Sequence, residues 1–213
     1  GVRNNIHIFD LRITVEAINS ALIKLHETVS KSGKVLFVGT KKQCSIVVKE
    51  LAELNNYFYV NKRWLGGMLT NWKTISNSIN RLKDLETFLS DPTSSNNVSK
   101  KELLDISREK DKLNLNIGGI KDLNGKPDLV VIFDVVKDKI AVLESNKLEI
   151  PVIGIVDSNA DPDLIDYVIP GNDDAIRSIN IFSNYFKQTI LDAMETLNIQ
   201  NNEEIEIKTD EKK

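Results

Sequence analysis

The run Gly39-Thr40-Lys41-Lys42-Gln43 follows an apolar stretch and could do chemistry with an anion. Thr40 and Gln43 stand at capping-box spacing, so a helix should open here with Thr40 as its cap. The free N–H groups of a helix start attract negative charge, and Lys41 and Lys42 add two cations, a combination that suits a phosphate. The glycine pattern of a nucleotide P-loop is missing, as is the G-x-G-x-x-G of a dinucleotide fold. The plainer alternative is an ordinary strand-to-helix turn with solvated lysines. A second segment runs from Asn61 to Thr74 and reads NKRWLGGMLTNWKT. Both tryptophans of the chain, Trp64 and Trp72, lie in it, interleaved with Lys62, Arg63 and Lys73. Cations meet phosphates while planar rings pack on sugars or bases, so this mixture suits RNA. Gly66-Gly67 permits a tight approach or a positive φ. The competing reading packs the tryptophans into a core and leaves the charges in solvent. Both hold in part: one tryptophan should be packed, and Arg63 and Lys73 are the better contact candidates.

Two further segments read more simply. Asp157-Ser158-Asn159-Ala160-Asp161-Pro162-Asp163 ends a strand candidate, where ligands bind in open α/β sheets, and its carboxylates could hold Mg²⁺. A polar loop built from turn-forming residues explains it as well, and is the reading preferred. In Pro170-Gly171-Asn172-Asp173-Asp174-Ala175-Ile176-Arg177, Asn172 or Asp173 can cap a helix, and Arg177 is a candidate phosphate contact. His7 and His26 are isolated in sequence, and Cys44 falls inside a helical stretch where a buried small side chain is expected. No nucleophile, base and orienting group come together, so neither catalysis nor a cofactor is expected.

The elements that must position these residues alternate between short apolar runs and longer helical stretches. Strand candidates are Ile6–Asp10, Lys34–Thr40, Tyr57–Asn61, Leu129–Asp134, Val152–Asp157 and Tyr167–Ile169. Two contain runs that are apolar throughout, Val35–Val38 and Leu129–Phe133, which is the habit of parallel strands covered on both faces. Helical stretches cover Thr14–Ser30, Lys41–Asn55, Lys137–Asn146 and Ala175–Leu197. Strand–helix alternation predicts a three-layer α/β fold.

The segment 75–117 breaks the rhythm. Ile75, Ile79, Leu82 and Leu89 mark one helical seam, and Leu103, Ile106, Leu113 and Ile117 a second, with Lys110 at the position that would complete it. A turn-rich stretch at 90–97 separates them, and Ser99-x-x-Glu102 is a capping box for the second. The spacing predicts an antiparallel coiled-coil helical hairpin, short of core of its own and suited to reaching a partner. The domain reading is therefore a discontinuous α/β domain, 1–74 and 118–197, with the hairpin inserted at 75–117. A charged tail at 198–213 reads as mobile.

Bulk composition limits the function classes. The chain has 213 residues, 41% hydrophobic, enough for a sizeable core, and a net charge of -3. An acidic balance argues against polycationic nucleic-acid binding, so any RNA contact must use local basic patches. One cysteine excludes a disulfide framework and a cysteine-rich zinc site. No apolar run approaches a membrane span, and no signal-peptide pattern opens the sequence.

The residues from Arg63 to Thr74 resemble the signature of the bacterial small-subunit ribosomal protein S2 family. Further similar segments follow in family order: Arg3-Asn4 with His7-Ile8, the run from Leu36 to Lys41, Leu82 to Glu86, Gly118 to Asp122, Lys126 to Asp128, Ile155 to Asp157, and Ile169 to Arg177. The resemblance implies a flavodoxin-like α/β domain with a parallel sheet and a projecting coiled-coil hairpin. It implies a structural constituent of the small ribosomal subunit, seated between head and body on the solvent side. Such a protein binds small-subunit rRNA and neighbouring ribosomal proteins, and in bacteria helps seat ribosomal protein S1. No catalytic activity, cofactor, metal, membrane or small-molecule substrate is implied. Carried onto this sequence, the RNA- or partner-binding positions are Arg3, Lys41, Lys42, Arg63, Asn71, Trp72 and Lys73, with Arg177 beside them. Family members carry an N-terminal segment with a His-Phe-Gly-His-like motif ahead of the position matching Gly1, and contacts made by it cannot be assigned. The Asn-, Ile- and Lys-rich composition suggests an AT-rich genome. The sequence looks closest to alphaproteobacterial and protist mitochondrial members, leaving bacterial cytoplasm and mitochondrial matrix both open. The rival expectation is a nucleotide- or phosphometabolite-binding α/β enzyme with Thr40–Gln43 as anion cradle and Asp157–Asp163 for metal, which rests on fold class alone.

Overall fold

A computed structural model describes residues 1–4, 6–91 and 99–210, with side chains described as far as residue 198. Seven strands and six α-helices are described. The strands are β1 (Val2–Arg3), β2 (Ile6–His7), β3 (Val35–Val38), β4 (Phe58–Val60), β5 (Leu129–Ile132), β6 (Val152–Val156) and β7 (Tyr167–Pro170). The helices are α1 (Leu11–Ser30), α2 (Lys42–Leu54), α3 (Trp72–Ser90), α4 (Lys100–Ile117), α5 (Lys139–Lys147) and α6 (Ile176–Asp210).

The sheet follows from the apolar runs. Every residue of β3, β5 and β6 is buried, whereas the edge strands β4 and β7 are only partly so. The order is β4-β3-β5-β6-β7, with all neighbours parallel. Counted within the sheet this is 2-1-3-4-5, the flavodoxin-like order. Alternate side chains feed two cores. Val35, Phe37, Val131 and Phe133 pack with Ile18 and Leu25 of α1, Val48 and Leu51 of α2, and Phe186 and Ile190 of α6. Leu36, Val38, Val130 and Ile132 pack on the other face with Ile75, Ile79 and Leu82 of α3, Ile117 of α4 and Val142 of α5. Pro170 ends an edge strand, where its missing N–H costs no ladder bond.

Three expectations change. Ile6–Asp10 does not join the sheet: only Ile6–His7 is extended, and it pairs antiparallel with β1 in a separate hairpin. Asp10 instead caps α1, accepting from the Arg12 amide. Thr40 does not cap α2. The cap is Lys41, without a side-chain bond, because the Thr40 hydroxyl donates to Asp138 at 2.7 Å. A buried carboxylate is the stronger acceptor and holds the hydroxyl away from the helix. Finally, α3 is rooted in the main core through Ile75, Ile79 and Leu82. A narrow apolar seam shows that a helix packs, but not whether it meets a second helix or a sheet.

The helices α3 and α4 also pack on each other, and Arg81 pairs with Glu109 through two N–H···O bonds of 2.9 Å. On α3 the fourth buried position is Leu85, with Leu89 half-buried. On α4, Ile117 is buried and Leu103, Ile106 and Leu113 half-buried. Ser99 caps α4 by accepting from the Glu102 amide. Most of the turn expected at 90–97 lies outside the described residues. The helix α6 continues to Asp210, while the side chains of the charged tail beyond Asn198 lie outside them too.

Candidate nucleic-acid interface

The basic loop is built around a residue far away in sequence. Glu144 lies near the end of α5 with 7% of its surface exposed. Its Oε1 accepts from the Trp64 indole N–H at 3.1 Å and the Gly67 amide at 2.7 Å. Its Oε2 accepts from the Leu69 and Thr70 amides at 2.9 and 3.0 Å and from the Thr70 hydroxyl at 3.0 Å. Burial pushes this carboxyl upward, but the bonds from Thr70, Trp64, Leu69 and Gly67 outweigh it and hold it below the usual glutamate range. Gly67 has φ of 83°, a left-handed conformation that frees its amide to face the carboxylate. Trp64, Met68 and Leu69 are buried in the same core as α3, which fixes the loop to the sheet.

With the loop tied inward, its cations face out. Lys62, Arg63, Asn71 and Lys73 are exposed, and Trp72 is half-buried against the core. The Asn71 side chain accepts from the Thr74 hydroxyl at 3.1 Å. Among the described residues no ion pair or hydrogen bond engages the side chains of Lys62, Arg63 or Lys73. The same holds for Arg3, Lys42 and Arg177, all exposed. Of the expected positions, Arg63 and Asn71 lie on the loop, and Trp72 and Lys73 open α3 directly after it. Lys42 opens α2, Arg177 stands in the first turn of α6, and Arg3 sits on the separate β1–β2 hairpin.

Lys41 differs from all of these. Its ammonium lies 3.0 Å from Asp134, 2.7 Å from Asp173 and 2.6 Å from Asp174. Burial disfavours its charge, but Asp173, Asp174 and Asp134 more than compensate and raise its pKa. The ammonium donates to Asp173 and pairs by charge with Asp134 and Asp174. Lys41 and Asp134 follow the C-terminal ends of the paired strands β3 and β5, whose next strands lie on opposite sides in the sheet, the switch point at which flavodoxin-like sheets bind ligands. Asp138 completes the cluster, accepting from the Thr40 amide and hydroxyl at 3.0 and 2.7 Å. Burial raises the Asp138 pKa, opposed by those two bonds. Asp157 of the expected metal loop has a carboxylate oxygen within 4.8 Å of Asp173 and Asp174. Asp173 therefore serves the lysine rather than capping α6, and Asn172 makes the turn, accepting from the Asp174 and Ala175 amides. Nearby Cys44 is buried, its thiol pushed up to about 12 chiefly by burial. It is a core side chain, not a nucleophile.

Sequence reading missed Glu144 altogether, and with it the reason for the Trp-x-x-Gly-x-Leu-Thr spacing. A lone glutamate in a short helix carries no signal of the loop it serves.

The sheet order defines a flavodoxin-like domain with an internal ion cluster around Lys41, and with Lys62, Arg63 and Lys73 unpaired beside the Glu144-tied loop. The ribosomal protein S2 family model matches residues 1–193. The small ribosomal subunit protein uS2 of Rickettsia bellii is 51% identical over 195 residues, covering 92% of this chain and 67% of the relative. That of Xanthobacter autotrophicus is 52% identical over 194 residues, covering 91% and 58%. That of Mesorhizobium japonicum is 50% identical over 194 residues, covering 91% and 74%. The chain belongs to the ribosomal protein S2 family, whose members are structural constituents of the small ribosomal subunit and not enzymes. It spans between about three fifths and three quarters of the length of these relatives. Among the described residues no helix is long and apolar enough to cross a membrane.

Proposed function

We propose that this chain joins the small subunit of a bacterial-type ribosome and binds small-subunit rRNA through the loop at 61–74, with neighbouring ribosomal proteins covering other surfaces. The observation that carries this reading is the set of unpaired cations, Lys62 and Arg63 on a loop held from beneath by Glu144 and Lys73 on the helix start that follows it. Cations without internal partners are available to phosphate, and each phosphate neutralised releases counterions. Lys73 lies in the first turn of α3, where the free amides attract the same anion that the lysine would meet. Arg3, Lys42 and Arg177 are exposed secondary contacts, and Asn71 and Trp72 flank the principal one. Lys41 supports the crevice and does not face RNA.

The domain arrangement fits this role. Residues 1–74 and 118–197 form the sheet-centred body, and the helices at 75–117 extend it towards a partner. With a net charge of -3, binding depends on a few local contacts together with protein–protein surface. The test is sedimentation of the full chain with small subunits. Recovery in the particle after a wash at moderate salt supports the reading; recovery only in the soluble fraction overturns it.

A further inference from the structure

We propose that Glu144 is the positioning residue of the rRNA-contacting loop, and that its negative charge, not just its shape, holds Arg63 and Lys73 in the binding arrangement. The inference rests on the rRNA reading above. Five donors from four residues converge on one carboxylate, all from the span Trp64–Thr70. Arg63 precedes the first of these residues directly, and Lys73 follows the last by three positions. Among the described residues no cation pairs with Glu144. Its charge is balanced by N–H and O–H dipoles alone, the arrangement of an anion nest with the anion supplied by the protein itself.

The convergence makes the site specific for charge. A carboxylate accepts on both oxygens, whereas a glutamine offers one oxygen and an NH₂ group. In Glu144→Gln that NH₂ must face either the Trp64 and Gly67 donors or the Leu69 and Thr70 donors. Two or three N–H or O–H groups then point at another donor, and the loop has to open on that side. The isosteric amide therefore cannot substitute. Aspartate keeps the charge but falls one methylene short, so it should recover part of the geometry.

The experiment compares the full wild-type chain with Glu144→Gln, Glu144→Asp, Thr70→Val and the double change Arg63→Glu with Lys73→Glu. Each is titrated onto small-subunit rRNA, with the Trp64 indole proton and the Gly67, Leu69 and Thr70 amides followed by NMR. Glu144→Gln should bind at least about tenfold more weakly while the β3 and β5 amides remain protected, and Glu144→Asp should regain part of the loss. Thr70→Val removes one donor and leaves the fold intact. It should weaken binding about twofold and raise the pH at which the indole and loop amides titrate together. Wild-type rRNA affinity should fall as pH drops through that same titration, which a purely structural role of the side chain would not produce. Unchanged rRNA affinity in Glu144→Gln, or an unmoved titration in Thr70→Val, overturns the proposal when the Arg63/Lys73 variant still weakens binding. Unchanged affinity in the Arg63/Lys73 variant instead overturns the rRNA reading, whatever Glu144 does.

Discussion

Lys41 and Glu144 are both largely buried charges beside the same parallel sheet, and they are neutralised in opposite ways. Lys41 is met by the formal charges of Asp134, Asp173 and Asp174, so the switch-point crevice closes on itself. Glu144 is met by dipoles alone, so the cations of the loop it organises remain unspent. The difference teaches that a lysine near a helix start does not by itself mark a phosphate site. Whether the charge is internally matched decides whether a ligand is needed.

The comparison is broken most severely by removing the lysine. Lys41→Met leaves Asp134 and Asp173 buried with no cation and should cost about 3–5 kcal/mol, read as a drop in the chemical denaturation midpoint. Acidification separates the two regions by sign. Asp138 has a raised folded-state pKa, so its charge is costly at neutral pH and the cost is relieved as pH falls through that raised value. The midpoint difference between wild type and Asp138→Asn should therefore narrow before the ordinary aspartate range is reached. Glu144 is depressed, so its contribution is complete above the ordinary glutamate range, about pH 4.3, and is lost as pH falls below it. The midpoint difference between wild type and Glu144→Gln should hold to about that pH and narrow only below it. Single changes Arg63→Ala and Lys73→Ala should shift stability by no more than about 0.5 kcal/mol, since neither side chain has an internal partner. Smallest of all, Arg81→Ala should leave the thermal midpoint unchanged within error, because the Arg81–Glu109 pair is exposed to solvent.

Much of the framework was legible in the sequence. The unbroken apolar runs of β3 and β5 announced a sheet covered on both faces, and the alternation with helices announced its layers. The seam through Ile75, Ile79 and Leu82 was legible as helix, yet its partner, the sheet, was not. One tryptophan was expected to pack without the sequence saying which; it is Trp64, buried in the core with its indole N–H on Glu144. What stayed hidden was every contact joining distant segments: Thr40 with Asp138, Lys41 with Asp173, and Trp64 with Glu144. Local pattern fixes periodicity and caps. It carries no information about which carboxylate a topology will deliver to which donor.

The most direct test of the central claim is the salt dependence of small-subunit rRNA binding by the full chain and by the variant carrying Arg63→Glu and Lys73→Glu. If the loop meets phosphate, the variant binds more weakly at every salt concentration, and its plot of log affinity against log salt is shallower by about two, one for each cation lost. Its melting midpoint stays near that of the wild type. Equal affinity and equal slope for the two proteins would contradict the account and remove the loop from the RNA interface.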